Sequence, residues 1–276
     1  MTDDEWRRVN RANWDERVAV HLGPGGYTLS GLRAGRADFD PIVAAELPPL
    51  AGTRVLHLQC HFGADTLRLL LAGAAEVVGL DFSRTAIATA RDLAAELRLS
   101  ERARFIEADL YDAMRAIPAP HDFDIVFVTW GAIVWLPDIR AWAGIVAALL
   151  RPGGMFYFAE GHPTANVFDD GARAADGRPG FGIPYFQEEA FVDEDPTDYA
   201  DPDARLANAR TFQWLHPLGA IITALIDAGL TIEFLHEHDA VTWRMYACLV
   251  RGEDGLYRWP DKPWLPLAFS LRATKR

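Results

Sequence analysis

One stretch, Thr53 to Asp81 (TRVLHLQCHFGADTLRLLLAGAAEVVGLD), restricts the possible folds more than any other. Val55, Leu56 and Leu58 make a short apolar strand, Gly63 sits in a tight turn, and Ala64 to Ala72 is a run of good helix formers that stops at Gly73. Val77, Val78 and Leu80 then form a second strand that closes on Asp81. Strand, turn, helix and strand in this order make half of a nucleoside-binding fold. An acid at the tip of the second parallel strand, roughly 20 residues past the glycine turn, is placed to accept hydrogen bonds from both hydroxyls of a ribose.

The turn narrows the choice of nucleoside. A dinucleotide needs glycines there, so that the backbone can approach a pyrophosphate lying on the helix N-terminus. Gln59 and His61 occupy those places. Their side chains crowd a diphosphate but tolerate a ligand without phosphate, and S-adenosylmethionine is such a ligand. A nucleotide-dependent oxidoreductase is the alternative that the missing glycines oppose.

Further segments follow in a fixed order. Ser83 opens a helix with Ala86, Ile87, Ala90, Leu93, Ala94 and Leu97 on one face, and Ala103 to Leu110 reads as a third strand ending on Asp109 and Leu110. Phe123 to Val128 makes a fourth strand, followed by Thr129-Trp130-Gly131. A helix then stops on Pro152-Gly153-Gly154 and the chain enters a fifth strand through Phe158.

Taken together, these segments resemble the class I S-adenosylmethionine-dependent methyltransferases, strongly over residues 50 to 160 and weakly beyond. Val55-Leu56-His57-Leu58-Gln59-Cys60-His61-Phe62-Gly63 lies over the family's first motif, hydrophobic-hydrophobic-acid-x-Gly-x-Gly-x-Gly. His57 stands at the acid, and Gln59 and His61 replace two of the three glycines. The resemblance implies an α/β fold, a Rossmann-like seven-stranded mostly parallel sheet with helices on both faces. It adds an N-terminal helical cap and a lid-like insertion after strand five. It implies S-adenosyl-L-methionine as cofactor and S-adenosyl-L-homocysteine as product. Cofactor contacts would come from His57, Gln59, Gly63, Asp81 and Phe82, with Asp109 and Leu110 at the adenine and Thr129 and Trp130 beside the transferred methyl. The altered motif also fits a relative that binds the cofactor without methylating.

At 276 residues, half of them hydrophobic, the chain can bury a sizeable core, and strands alternating with helices indicate one domain. Its expected parts are a cap over 1–50, a cofactor-binding core over 51–160, a lid over 161–213 and the end of the sheet over 214–276. A net charge of −12 opposes nucleic acid as a partner, because phosphate binding relies on Lys and Arg. Cys60 and Cys248 match no metal-ligand spacing and suit a reducing compartment. The charged N-terminus and the lack of an apolar run of ~20 residues point to a cytoplasmic protein away from membranes, as a monomer or homodimer.

The segment from Gly161 to Gln213 is rich in Gly, Pro and Asp yet carries six aromatics, which suits a lid over a flat apolar acceptor. Tyr27, Trp130, Glu160, Phe181, Tyr185 and Trp214 are the expected substrate contacts. A helix beginning at His216-Pro217-Leu218-Gly219 and ending at Gly229 follows, then Thr231 to His238 as strand six and Leu267 to Ala273 as an antiparallel strand seven, with a loop between the two strands. A base is needed only if the acceptor carries a proton, and a neutral His suits that task. His162, after strand five with Glu160 to orient it, is the first candidate, followed by His216 and His21.

Overall fold

The computed structural model describes residues 3–175 and 177–276. A seven-stranded sheet runs through the middle, built from β1 (Arg54–Leu58), β2 (Glu76–Asp81), β3 (Ala103–Glu107), β4 (Phe123–Thr129), β5 (Leu150–Gly161), β6 (Leu230–His238) and β7 (Ala268–Lys275). The order across it is β6-β7-β5-β4-β1-β2-β3. Strands β1 to β5 are mutually parallel, and β7 runs antiparallel to both β5 and β6, as the sequence resemblance implies.

The helices are α1 (Asp3–His21), α2 (Ser30–Arg33), α3 (Pro41–Glu46), α4 (Ala64–Leu71), α5 (Arg84–Glu96), α6 (Ala113–Ala116), α7 (Ile139–Leu149) and α8 (Leu218–Asp227). Strand alternation divides the core. Leu56, Leu58, Val126, Val128, Phe156 and Phe158 face the layer of α6, α7 and α8. Val55, Val77, Phe127 and Tyr157 face α2 to α5. Because the central parallel strands are covered on both faces, all of these positions are hydrophobic and nearly solvent-free.

Local chemistry explains the element ends. Gly63 caps α4 in the left-handed region at φ 74°, and a Cβ there would fall 2.5 Å from the Phe105 ring, so only glycine fits. Ser83 caps α5 by accepting the Ala86 N–H. Two boundaries differ from expectation. The third strand stops at Glu107, because Asp109 accepts the Tyr111 N–H and starts a 3₁₀ turn over Leu110–Asp112. The Pro152-Gly153-Gly154 turn lies within β5 as an irregularity, where the pairing jumps from Phe123 with Leu150 to Ile125 with Met155.

The insertion after β5 divides its allegiance. Its first half pairs Phe168–Asp169 with Gly180–Phe181 and sets Phe168 against Tyr246 of the C-terminal part. There, three short strands, Ala240–Val241, Val250–Arg251 and Tyr257–Arg258, form a small sheet where a loop was expected. Its second half pairs Phe191–Asp193 with Thr211–Gln213 and packs on α1. Asn10, fully buried, exchanges two hydrogen bonds of 2.8 Å with the Phe212 backbone, and Trp6 stacks edge-on against Trp214. Among the described residues, no helix is long and apolar enough to cross a membrane.

Candidate cofactor and active site

The turn after β1 keeps a glycine-like path without the glycines. Gln59 and His61 sit at φ 55° and 50°, and Trp130 after β4 sits at φ 53°. Such conformations cost side-chain-bearing residues about 1–3 kcal/mol each and gather at functional sites. Asp81 ends β2 beneath this turn. Its Oδ2 accepts the His61 N–H at 2.8 Å and its Oδ1 the Ser83 N–H at 2.9 Å. Burial pushes the Asp81 carboxyl up to about 6, against the pull of those two N–H groups.

His57 belongs to the core and not to the ligand surface. It is 4% exposed, bonds Thr66 Oγ1 through Nδ1 at 2.9 Å and meets Phe127 edge-on. Burial lowers its pKa to about 4, so it is a neutral packing residue under the turn, in place of the family's acid.

Helix α1 lies along the strand tips that were expected to hold the nucleoside. Arg7 pairs with Asp109 at 3.2 Å, and Arg11 stands over the Phe82 ring. Asp15 accepts from Ser83 Oγ at 2.6 Å and from the Thr85 N–H at 3.1 Å. Trp14 packs edge-on against both His61 and Trp135. Leu110 is buried in the core beside this row.

Around the ends of β4 and β5 the expected substrate residues separate. Glu160, 2% exposed, accepts N–H groups from Gly131 and Ala132 at 2.6 Å, Ile133 at 3.2 Å and Gly161 at 2.8 Å. It therefore fixes the loop after Thr129 and does not orient His162, which corrects the sequence reading. His162 Nδ1 bonds Thr164 Oγ1 at 2.7 Å, while Nε2 is buried 3.0 Å from the Glu237 carboxylate without forming a hydrogen bond among the described residues. Burial holds its pKa down, opposed by Glu237. Trp130 turns toward α3, donating to Asp40 at 2.9 Å and touching Trp243.

Phe181 is 82% exposed and stacks on Phe168. The Tyr185 hydroxyl accepts the Leu218 N–H, and Trp214 is buried against Trp6. His216 is better placed: Nε2 donates to the Leu136 carbonyl at 2.7 Å, which leaves Nδ1 as an acceptor in the neutral ring, and burial lowers its pKa. It lines a cavity of about 10 Å³ with Val134, Glu160, Asn166 and Leu215, room for about one water. A groove of about 470 Å³ at the starts of β2 and β3 lies at the opposite end of the strands and is no part of this site.

Helix α1 and the second half of the insertion supply residues that pattern reading missed. Asp198, 2% exposed, binds Arg17 at 2.6 Å and His21 at 3.2 Å, and His21 in turn meets His61 at 2.8 Å. The Tyr27 and Tyr199 hydroxyls bond beside them. No local motif announces Asp198, because its partners are more than 170 residues away.

The cradle suits the expected cofactor by its unmet bonds. Among the described residues, Gln59 Oε1, His61 Nδ1 and Trp135 Nε1 are buried without a hydrogen-bond partner. Buried polar atoms are rarely left so, and an amide oxygen that accepts, an indole N–H that donates and an imidazole nitrogen that does either by its tautomer suit the polar amino-acid end of such a cofactor. Asp81, at the next strand tip, offers a carboxylate of the kind that receives ribose hydroxyls.

Comparison with known proteins agrees with the geometry. Residues 55–154 match the family model described as a methyltransferase domain. The curated protein methyltransferase GfsG of Streptomyces halstedii is 32% identical over 157 residues, covering 57% of this chain and 55% of the relative. The chain thus spans about half the length of that relative. An S-adenosylmethionine-dependent methyltransferase structure from Mesorhizobium loti superposes over 88% of this chain and all of its own, with TM-score 0.59 and 24% identity. The glycopeptide N-methyltransferase MtfA in complex with S-adenosylmethionine superposes over 85% of this chain and 92% of its own, with TM-score 0.53 and 18% identity. The fold is Rossmann-like, with Asp81 and the turn after β1 at the strand tips where ligands bind in open α/β sheets. Over residues 55–154 the chain matches a methyltransferase domain, and as a whole it shares the fold of S-adenosylmethionine-dependent methyltransferase structures.

Proposed function

We propose that this protein transfers the methyl of S-adenosylmethionine to oxygen or nitrogen of a small, hydrophobic or aromatic acceptor in the cytoplasm. The observation that carries this reading is the set of buried, unpartnered polar atoms on Gln59, His61 and Trp135 together with Asp81 at the next strand tip; His216, lining a small cavity with Val134, Glu160, Asn166 and Leu215 at the ends of β4 and β5, is the base this reading assigns. When bound, the cofactor supplies an electrophilic methyl on a sulfonium. The chain's own residues then place and shield the partner. Glu160 holds residues 131–133 rigid through its N–H bonds, and α1 with residues 191–214 covers the cradle from water. Holding two reactants near attack distance in a dry site supplies roughly 7–11 kcal/mol of barrier reduction. For a hydroxyl acceptor, neutral His216 takes the proton as the new bond forms. For an amine lone pair no base is needed.

Methyl transfer releases S-adenosylhomocysteine, so the test incubates the protein with S-adenosylmethionine and a panel of phenols, aliphatic alcohols and amines and follows that product by mass spectrometry. Product formed with at least one phenolic or amine acceptor, and lost in Asp81→Ala, supports the reading. Tight binding of S-adenosylhomocysteine with no turnover across the panel would favour a relative that binds the cofactor without methylating, a possibility raised by the altered residues 57, 59 and 61.

A further inference from the structure

We propose that His61 and Gln59 are side-chain receptors for the ammonium group at the amino-acid end of the cofactor, and that Asp198 acts through His21 to keep His61 in the tautomer that can accept it. The inference rests on cofactor binding, which belongs to the family reading, and not on the identity of the methyl acceptor.

The direction of the chain of hydrogen bonds carries the argument. Asp198 Oδ2 lies 2.6 Å from Arg17 and 3.2 Å from His21 Nε2, and Oδ1 accepts the Ala200 N–H at 2.7 Å. Burial pushes its carboxyl up, but the bonds from His21 and Ala200 and the nearby Arg17 hold it below the usual carboxylate range. An ionised carboxylate only accepts, so His21 Nε2 must carry a hydrogen. In a neutral ring His21 Nδ1 then holds a lone pair, and it faces His61 Nε2 at 2.8 Å. His61 Nε2 must donate, which leaves His61 Nδ1 as an acceptor. That atom is buried and has no partner among the described residues. Burial pushes the His61 pKa well down, which favours the neutral ring this scheme requires.

Gln59 reaches the same state by another route. Its Nε2 donates to the Ala132 carbonyl at 2.7 Å, so the remaining amide atom, Oε1, is an acceptor, also buried and unpartnered among the described residues. Both residues adopt the left-handed backbone that glycine takes without strain. Two strained positions holding two unused acceptors in one turn form a receptor for a group with several N–H donors. An ammonium has three, and Trp135 Nε1 offers the donor a neighbouring carboxylate would take.

The test compares two ligands that share the adenosine and thioether. S-adenosylhomocysteine carries the amino-acid end and 5′-methylthioadenosine lacks it. Calorimetry on the full chain and on His61→Gly and Gln59→Gly, which keep the backbone path open, should show S-adenosylhomocysteine weakened roughly ten- to hundredfold. The affinity for 5′-methylthioadenosine should stay within about threefold, by the same reasoning that only charge-assisted bonds are lost. Long-range ¹H–¹⁵N spectra should show His61 as the Nε2–H tautomer in the wild type and a loss of that preference in Asp198→Ala, a signature that a merely structural Asp198 would not move. Equal weakening of both ligands, no weakening of either, or an Nδ1–H tautomer at His61 would overturn the proposal. A wild type that binds 5′-methylthioadenosine and S-adenosylhomocysteine equally would sink this proposal alone, whereas one that binds neither would sink the cofactor reading as well.

Discussion

Asp81→Asn separates the cost of burying this carboxylate from everything else in the fold. In the native protein burial raises the Asp81 pKa to about 6, against about 3.9 for an unperturbed aspartate. The folded state therefore binds more protons than the unfolded one between those values, and stability falls as pH rises through them. At about 1.4 kcal/mol per pH unit, ionised Asp81 costs the ligand-free fold about 3 kcal/mol at neutral pH. Part of this span lies below the range where an acidic chain stays soluble, but between pH 5 and 7.5 the same arithmetic leaves about 1.4 kcal/mol. The substituted amide does not titrate. The difference in unfolding free energy, wild type minus Asp81→Asn, should accordingly fall by about 1.4 kcal/mol from pH 5 to pH 7.5 in urea titrations read by tryptophan fluorescence. Any loss from the amide's inability to accept both backbone N–H groups is the same at each pH and cancels. Ribose hydroxyls donate to the ionised form, so saturating S-adenosylhomocysteine should stabilise the wild type more at pH 7.5 than at pH 5. A difference flat in pH would show that Asp81 is hydrated in solution. A difference that grows with pH would show that the His61 and Ser83 N–H groups outweigh burial.

Two further substitutions test the assignments around β5. Glu160→Ala leaves the N–H groups of Gly131, Ala132 and Ile133 without their acceptor and should cost about 2–4 kcal/mol of stability, measured by urea unfolding; an unchanged midpoint would detach Glu160 from that loop. With a hydroxyl acceptor, His216→Ala should lower turnover ~10²–10⁴-fold with S-adenosylhomocysteine affinity intact, while His162→Ala stays within about tenfold. The reverse ranking would return the base to His162.

The sheet was legible because its signals are local. Apolar strand runs, Gly63, Ser83 and the Pro152-Gly153-Gly154 turn each act within a few residues, and their order determines a topology. Asp81 was legible for the same reason, as an acid at a strand tip. The surroundings of His162 could not be read from its position just past β5: Thr164 takes Nδ1, and the Glu237 carboxylate stands 3.0 Å from Nε2. Glu160 misled because a buried carboxylate can be used up by backbone N–H groups, which are invisible in a residue string. The cluster of Arg17, His21, His61 and Asp198 could not be read at all, since it joins three segments that only the fold brings together.

That cluster also changes what should move when the cofactor binds. Pattern reading treats residues 161–213 as one lid, but the two halves hold on to different partners. The first half is anchored through Phe168 and Tyr246 to the C-terminal part, in a cluster that Trp130 also packs against. The second half is joined to α1 by Asn10 to Phe212, Asn13 to Asn208, Glu16 to the N–H groups of Ala207 and Asn208, and Arg17 to Asp198. Helix α1 is joined in turn to the strand tips by Arg7, Asp15 and His21. Opening α1 therefore breaks the contacts of residues 191–214 and leaves those of 164–190 in place. A ligand seated beneath α1 should add its binding free energy to that opening and not to the other half. Amide exchange with saturating S-adenosylhomocysteine should slow together in α1 and residues 191–214, and stay unchanged across 164–190. Protection spread evenly over 161–213 would restore the single lid, and protection confined to 164–190 would place the closing element on the C-terminal side.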